Sequence, residues 1–520
     1  MPYPGDLTCG NPAGLTPISH TSVDGVRSDA YKGYLFGKDR PNLTILVGSE
    51  VGKVVLSSDA TPRATGVEFR DSTGKAFTVN AKNEVLMALG SIKTPLILQQ
   101  SGIGPADVLQ AAGVQQRVDL PVGHNLIDQV TASTWFHFSG KRGGGQPLTW
   151  PRFQDLFSGD ETTKMTNLLQ NNLEAYVQDA IANGAASSAE GLRKVLELQR
   201  DWILNKGAAA SENFDYSYDT TLGYDSWFLL PFGRGSVKIT NSDPYGEGYA
   251  IDPRIFANEF DRLASAASAR FTRLFSEASP LVTQITDEDV PGNKTANDLA
   301  SWETWATQNY RSNWHPIGTV PMMSKDLGGC VDSEHKVYGV DGLRVIDGSN
   351  IPFQVSSHLM SVLYGLSERA AELIANGGGN STNPGNPGAG GQAIHHNGDA
   401  TKCLEVLGGN FENGAAVAIA TCDGSAKQKW TFAQGTTAVQ VAGQNFCLDA
   451  TDASPASGTK MKIWQCYAGL PAQTWTYANN ELKLNSANQC LDLTDGGACD
   501  GNVMQVWECA PGNPNQIWTV

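Results

Sequence analysis

The feature that most constrains this chain is a triplication near its C-terminal end. Three segments, CLEVLGGN…VAIATCDGSAKQKW, CLDATDAS…MKIWQCYAGLPAQTW and CLDLTDGG…MQVWECAPGNPNQIW, follow one another at a period of about 43 residues. Each holds one cysteine pair at a shared spacing: Cys403 with Cys422, Cys447 with Cys466, and Cys490 with Cys509. Each closes on the same tripeptide, Gln428-x-Trp430, Gln473-x-Trp475 and Gln516-x-Trp518. A unit of this size cannot bury an apolar face alone, whereas three related by a pseudo-threefold axis can. One large ring per unit suits the core of a small β domain. The cysteine pattern reads as a disulfide framework and so as an oxidising compartment, with Cys9, Cys330 and Cys499 left without an assigned partner.

Compartment and charge narrow the partners. Asn42, Asn293 and Asn380 each open an Asn-x-Thr or Asn-x-Ser acceptor tripeptide, which adds to the case for secretion. MPYPGDLTCGNPAG shows no charged stretch followed by an apolar one, so a secreted chain is expected to start upstream of Met1. The formal net charge of -16 repels phosphate backbones and anionic lipid, so nucleic acid and membrane are not expected partners. No apolar run approaches the roughly 18 residues that span a bilayer.

Ahead of the repeats, IANGGGNSTNPGNPGAGGQA offers no apolar face to bury and reads as a flexible linker over 377–393. Before the linker, GSEVGKVVL, ATGVEFRD and FTVNAKNEVLMALG have the β-branched runs of strands, and TPLILQQSG and SVLYGLSERAAELI the periodicity of helices. The fold class expected is α/β or α+β for this body and all-β for the repeats.

The repeats resemble the ricin B-type lectin domain, a β-trefoil, over 394–520. In that family a sugar is held by an Asp, by Gln or Asn side chains, and by an aromatic ring on which its apolar face stacks. The third repeat carries the whole set: Asp492, Gln505, Trp507, Asn515 and Gln516. The second keeps Asp449 and Trp464 but has Lys462 and Ala472 at the polar positions, and the first has Glu405 and Ile419. The resemblance implies one good glycan site, one weak one and one lost.

In the first body, YRSNWHPIGT raises the question of His315. From the residues alone it is an acid/base group, a metal ligand or a core histidine, although no H-E-x-x-H or similar spacing supplies companions for a metal. The surroundings add a resemblance. GSIKTPLILQQSGIGP, LPVGHNLIDQ, DSWFLLPFGRGSV, NWHPIGT, YGVDGLRVIDGSNIP and SSHLMSVLYGLSERAAELI occur in the order found in the glucose-methanol-choline (GMC) FAD-dependent oxidoreductases, and are most similar to the glucose-oxidising members.

That resemblance implies a hydride transfer from an alcohol carbon to FAD, with His315 as the base and His358 as the second imidazole beside it. It implies cofactor contacts at Val51, Asp347, Gly348 and the backbone N–H groups of Leu359 and Met360, and substrate contacts at Arg311, Asn313, Asp225 and Trp227. The implied substrate is glucose or a related pyranose oxidised at C1, with an aryl or other primary alcohol second, and O2 or another electron acceptor completing the cycle. The corresponding division is a partial FAD-binding domain over 1–135, an antiparallel substrate-binding domain over 136–310, and a return to the FAD domain over 311–376. His20, His124, His137, His335, His395 and His396 are assigned no role.

One expected motif is missing. The G-x-G-x-x-G turn that seats a dinucleotide pyrophosphate is not found, since FGRGSV and SGIGPA hold too few glycines in spacing and GNPGAGG lies in the linker. The chain is expected to enter the family pattern about a third of the way along, with an incomplete dinucleotide fold and exposed sheet edges. A catalytically inactive chain acting as a carbohydrate-binding module is therefore the competing expectation.

Overall fold

The computed structural model describes residues 14–18, 20–140, 146–218, 220–375, 391–467 and 469–520. The chain divides into two compact units, with the division at Gly377 and Gly378. Most of the expected linker, Asn380 and Cys9 lie outside the described residues. No helix among the described residues is long and apolar enough to cross a membrane.

The first unit is built on a wide antiparallel sheet. Its order runs Leu15–Pro17, Pro147–Thr149, Ser211–Tyr218, Thr221–Phe228, Val130–Phe138, Ile285–Val290, and Tyr310–Ser312 adds to the first residues of Val130–Phe138. Thr221–Phe228, with Tyr224, Trp227 and Phe228, is aromatic in character and almost wholly buried, as suits a central strand of the sheet. The helix Glu259–Ser276 starts on Asn258, whose side chain accepts from the Asp261 N–H at 2.8 Å. Its middle, Ala264 to Ala269, is an unbroken run of Ala and Ser, all buried, and small side chains let a helix lie close on a sheet. The core there gathers Phe228, Phe232, Phe260 and Trp302.

Smaller antiparallel sheets join Glu50–Leu56, Ala64–Arg70 and Ala76–Asn80, and Tyr249–Asp252, Gly235–Ile239 and His124–Leu126. The sequence led us to expect a partial parallel dinucleotide sheet. Among the described strands the parallel ladder is confined to Val85–Met87 with Leu343–Val345, so antiparallel pairing dominates the unit. Leu86 on that pair is 41% exposed, and the nearby turn residue Leu89 is 40% exposed. The strand leads into the helix Gly90–Gln100, and Asp347 ties the two ends together. Its Oδ2 accepts from Gly90 N at 2.9 Å and Thr94 Oγ1 at 2.6 Å, and its Oδ1 from Ser349 N at 2.8 Å and Ser349 Oγ at 2.6 Å.

The second unit is the trefoil. Its three disulfides, Cys403–Cys422, Cys447–Cys466 and Cys490–Cys509, share one sequence separation of 19 and one Cα–Cα distance of 5.0 Å. Cys499 is disulfide-bonded too, and Cys330 of the first unit is a free, buried thiol. The Gln-x-Trp repeat has a structural cause. Trp430, Trp475 and Trp518 are fully buried, and their Nε1–H groups donate to Leu404, Leu448 and Leu491 carbonyls at 2.9, 3.1 and 2.9 Å. Each partner glutamine donates to an acid one strand away, Gln428 to Glu405, Gln473 to Asp449 and Gln516 to Asp492, at 3.0, 3.0 and 3.1 Å. Truncating any of the three tryptophans to Ala costs about 3–5 kcal/mol. Around the axis, Val417 N donates to Met461 O at 3.1 Å, Met461 N to Met504 O at 2.8 Å, and Met504 N to Val417 O at 2.8 Å.

Asp215, on Ser211–Tyr218, lines a small apolar cavity with Leu15, Tyr224, Phe271 and Phe275. Burial pushes its carboxyl up to about 7. The folded protein then holds a proton there that the unfolded chain releases near pH 4, so this site costs stability as pH rises from about 4 to about 7. Asp215→Asn is expected to remove that slope and to be more stable than the parent at about pH 8 by roughly 2 kcal/mol, half the full linkage value because the group is partly exposed. Urea midpoints measured across that range check it.

Candidate functional site

Pairing of the edge strand sets the site. Tyr310, Arg311 and Ser312 lie opposite Ala132, Thr131 and Val130, which brings residues 128–131 against 311–315. Past the strand the chain is held by main-chain and side-chain bonds. Asp128 accepts from Ser312 Oγ at 2.5 Å and from the His315 N–H at 3.1 Å, Asn313 N donates to Gln129 O at 2.9 Å, and Gln354 Nε2 donates to His315 O at 2.9 Å. Trp314 takes the left-handed region at φ 56° and is 73% exposed, while its neighbours Asn313 and His315 turn inwards.

His358 comes from the other side, immediately ahead of the helix Leu359–Ala375. The two imidazole centroids are 5.2 Å apart and nearly perpendicular, and the Trp227 ring lies 5.3 Å from His358 and 6.3 Å from His315. Trp227 sits opposite Glu212 across the Ser211–Tyr218 and Thr221–Phe228 pair, so strand register carries both to the rings. Glu212 is fully buried, and its Oε1 lies 2.5 Å from His358 Nδ1.

These surroundings drive the histidines apart. Burial lowers His315 to about 4, helped by the neighbouring His358 charge. Burial also opposes charge on His358, but the bond to Glu212 and its negative charge outweigh burial and raise that group above its ordinary value. At neutral pH His315 is a bare base, and Glu212 draws His358 towards its charged form. His315 Nε2 has no hydrogen-bond partner among the described residues. Such a pair can take a proton from a hydroxyl with one ring and stabilise the resulting oxygen charge with the other.

The remaining sequence candidates divide. Arg311 and Asp225 are near the histidines but satisfy each other at 2.6 Å, with Arg311 also stacked 4.6 Å over Trp314. Asn313 is buried, with its amide on Thr131 Oγ1 at 2.6 Å and on His315 Nδ1 at 3.0 Å, so it holds the ring instead of presenting a free amide to a hydroxyl. Trp227 is 3% exposed, which makes it a wall behind the histidines. The Asp347 carboxylate already accepts four hydrogen bonds, about all that such a group can take, so its side chain braces the fold. Leu359 is buried and Met360 exposed at the start of their helix, whose first N–H groups have no partner within it. Val51 lies in the small Glu50–Leu56 sheet, and Gly348 opens the turn Gly348–Asn350. Sequence reasoning missed Glu212, Asp128 and Gln129. No local pattern marks the first: Glu212 shares SENFDYSY with a second carboxylate, Asp215, and only the strand pairing opposite Trp227 singles it out.

In the trefoil, the third repeat places Gln505 opposite Asp492 and bonds them at 2.9 Å. Trp507 stands beside them 46% exposed, a ring open to stacking, and Asn515 is partly exposed. Gln516 differs from the expectation. It is fully buried, accepts from Ala510 N and donates to Asp492 and Glu508 O, so it positions Asp492 and has nothing left for a ligand. In the second repeat Lys462 lies 4.6 Å over the Trp464 ring. In the first, the residue opposite Glu405 is Ala418, not Ile419, which is buried core; Lys427 Nζ lies 3.0 Å from the Glu405 carboxylate and occupies the acid. The cluster of His395 with Cys403 and Cys422 has both sulfurs in a disulfide and offers no thiolate.

Comparison with known proteins agrees with these two units. Models of the GMC oxidoreductase family match residues 1–131 and 231–367, and that of the ricin-type β-trefoil lectin domain matches 392–518. Glucose oxidase of Penicillium chrysogenum is 40% identical over 379 residues and that of Aspergillus carbonarius 42% over 382, each covering 72% of this chain. The chain spans 62% of the length of these relatives. Among solved structures, a fungal aryl-alcohol oxidase is similar at 25% identity and TM-score 0.60, over 70% of this chain and 67% of that one. An FAD-dependent oxidoreductase from Chaetomium thermophilum is similar at 26% identity and TM-score 0.53, over 65% and 62%.

The opposed histidines generate a test. In Glu212→Gln, burial acts on His358 unopposed, so its titration should fall below the ordinary value, and His315, relieved of a neighbouring charge, should rise. Histidine NMR titrations of the two proteins read both shifts.

Proposed function

Since this chain belongs to the GMC oxidoreductases and carries a ricin-type β-trefoil lectin domain, we propose that it oxidises a CH–OH donor with FAD while the lectin domain holds a glycan. The observation that carries this reading is the pair of facing imidazoles, 5.2 Å apart, of which His358 is set against the buried Glu212 carboxylate. His315 accepts the hydroxyl proton at Nε2, and His358, backed by Glu212, stabilises the developing alkoxide. The carbon-bound hydrogen leaves as hydride, and the substrate carbon becomes a carbonyl. Bound FAD supplies the hydride acceptor, which O2 or another electron acceptor then reoxidises.

Features at the helix Leu359–Ala375 support the cofactor's place. The first N–H groups of that helix favour a negative ring, as a helix N-terminus does. Beside it Ser91 Oγ is buried without a partner among the described residues, and a Cβ on Gly348 would meet that oxygen at 3.5 Å. Val51 and the Asp347–Gly348 turn are proposed to border the rest of the cofactor, with the turn braced by the Asp347 carboxylate. We divide the enzyme part into cofactor-binding segments at 1–135 and 311–376 and a substrate-binding segment at 136–310. The three trefoil disulfides and exposed acceptor tripeptides at Asn42 and Asn293 support secretion.

The preferred substrate is glucose or a related pyranose at C1, supported by relatives named glucose oxidase. A second reading, an aryl or other primary alcohol, is favoured by the exposed Trp314 ring beside His315 and by the likeness to an aryl-alcohol oxidase. The glycan is assigned to Asp492, Gln505, Trp507 and Asn515.

Purified chain supplied with FAD should show flavin absorbance that bleaches anaerobically with sugar; colourless protein retained on a glycan resin would instead leave the lectin unit as its working part. In the flavin-loaded protein, His315→Ala should lower turnover about 10²- to 10⁴-fold, and unchanged turnover would remove it from the base role. Trp507→Ala should weaken retention on that resin about tenfold, whereas Trp464→Ala should leave it nearly unchanged.

A further inference from the structure

The two histidines share one arrangement that the reading above does not use. Each Nδ1 faces a side-chain oxygen of nearly identical reach: Glu212 Oε1 at 2.5 Å from His358, and Gln129 Oε1 at 2.7 Å from His315. One oxygen belongs to a carboxylate and the other to an amide. We propose that Gln129 is the positioning residue that fixes the tautomer of His315, holding the ring proton on Nδ1 so that the lone pair stands on Nε2.

The assignment follows from where the hydrogen-bond chain ends. Gln129 is 1% exposed, and its Nε2 lies 2.9 Å from the Leu229 carbonyl oxygen, which can only accept. The amide nitrogen must therefore face Leu229, and the amide oxygen must face His315. A carbonyl-type oxygen 2.7 Å from Nδ1 needs a proton between them, and Nδ1 is the one atom of the two that can carry it. Asn313, 3.0 Å from the same Nδ1, has no such anchor. Its Nδ2 faces that ring nitrogen and its Oδ1 accepts from the Thr131 hydroxyl at 2.6 Å. That hydroxyl can donate or accept, so nothing fixes this amide, and a protonated Nδ1 assigns it turned, oxygen to the ring. Gln129 leads and Asn313 follows.

The amide also explains why this ring and not the other is the base. When Nε2 takes a proton, Nδ1–H continues to donate to a neutral oxygen, so no countercharge stabilises the imidazolium and the proton is readily given up. The charged and titratable groups around His315 act in the same sense. His358, paired with Glu212, faces it from the neighbouring helix start and opposes a second positive charge, while Asp128 is turned to the His315 main-chain N–H instead of its ring. Exchange of one amide for one carboxylate thus separates base from acid. This inference rests on His315 being the base, but the tautomer can be read without turnover.

The test uses full-length protein with 15N-labelled histidine, with the His315 signals assigned by their loss in His315→Ala. Long-range proton–nitrogen spectra at about pH 7 should show Nδ1 protonated and Nε2 bare. Gln129→Met, close in shape but without an acceptor, should populate the opposite tautomer. Gln129→Glu should keep Nδ1 protonated and move the His315 titration up by about 1–3 units, even though the carboxylate gives up the bond to Leu229. A wild-type ring protonated on Nε2 overturns the proposal whether or not the variants fold. So does an unchanged tautomer in folded Gln129→Met, which would hand the role to Asn313. Normal tautomer behaviour together with full turnover in His315→Ala would sink the base assignment and leave the tautomer assignment standing.

Discussion

Everything at the first site depends on three residues of edge strand. Tyr310–Ser312 adds to Val130–Phe138 in one register, and that register alone decides which residues of 128–131 meet which of 311–315. A slip by one residue would turn every side chain to the opposite face. The sheet cannot hold so short a strand by ladder bonds alone, and the Asp128 carboxylate supplies the rest by gripping Ser312 and His315 together across 187 positions of sequence. With that grip, His315 is part of the sheet's rigid edge despite lying on a loop. Rigid elements hold reacting groups to tolerances that free loops do not.

How far the site was legible in sequence depended on how its contacts are made. His315 and His358 were readable because each sits in a run of local context, NWHPIGT and SSHLMS, that resembles a known pattern. Glu212 was not, because nothing local distinguishes it from Asn213 or Asp215; it acquires meaning through the pairing that sets it opposite Trp227 and under a ring from the far end of the unit. Gln129 is the same case at 186 positions' separation. Asp347 carries a brace that the sequence did not show. Its place at the cofactor was implied by the resemblance, whereas the bonds of its carboxylate to Gly90, Thr94 and Ser349 come from the fold. In the fold, a parallel sheet was expected, and among the described strands only Val85–Met87 with Leu343–Val345 pairs that way, since a strand's composition carries no mark of its partner or direction.

The trefoil was more open to reading, because its information is repeated. Equal cysteine spacing announces equal geometry, and three buried Gln–acid pairs realise it. Its differences lie where repetition breaks. Lys427 neutralises Glu405 in one repeat, Lys462 caps the Trp464 ring in another, and the third leaves Trp507 open. The Gln-x-Trp positions that repeat fold the unit, and the variation falls beside the acids, at Ala418, Lys462 and Gln505. Ala418, not Ile419, matches Lys462 and Gln505: each stands opposite its repeat's acid, Glu405, Asp449 or Asp492, at the same sequence separation, so the repeat itself held the register.

The bonds among Val417, Met461 and Met504 make each repeat a donor to one neighbour and an acceptor from the other. A stack of repeats in a line has two ends, and its stability is a sum that can be eroded from either one. A closed cycle of three has no end from which to fray. Opening any one repeat removes two of the three bonds at once and leaves a pair that cannot close on itself. The unit must therefore melt as a whole or not at all.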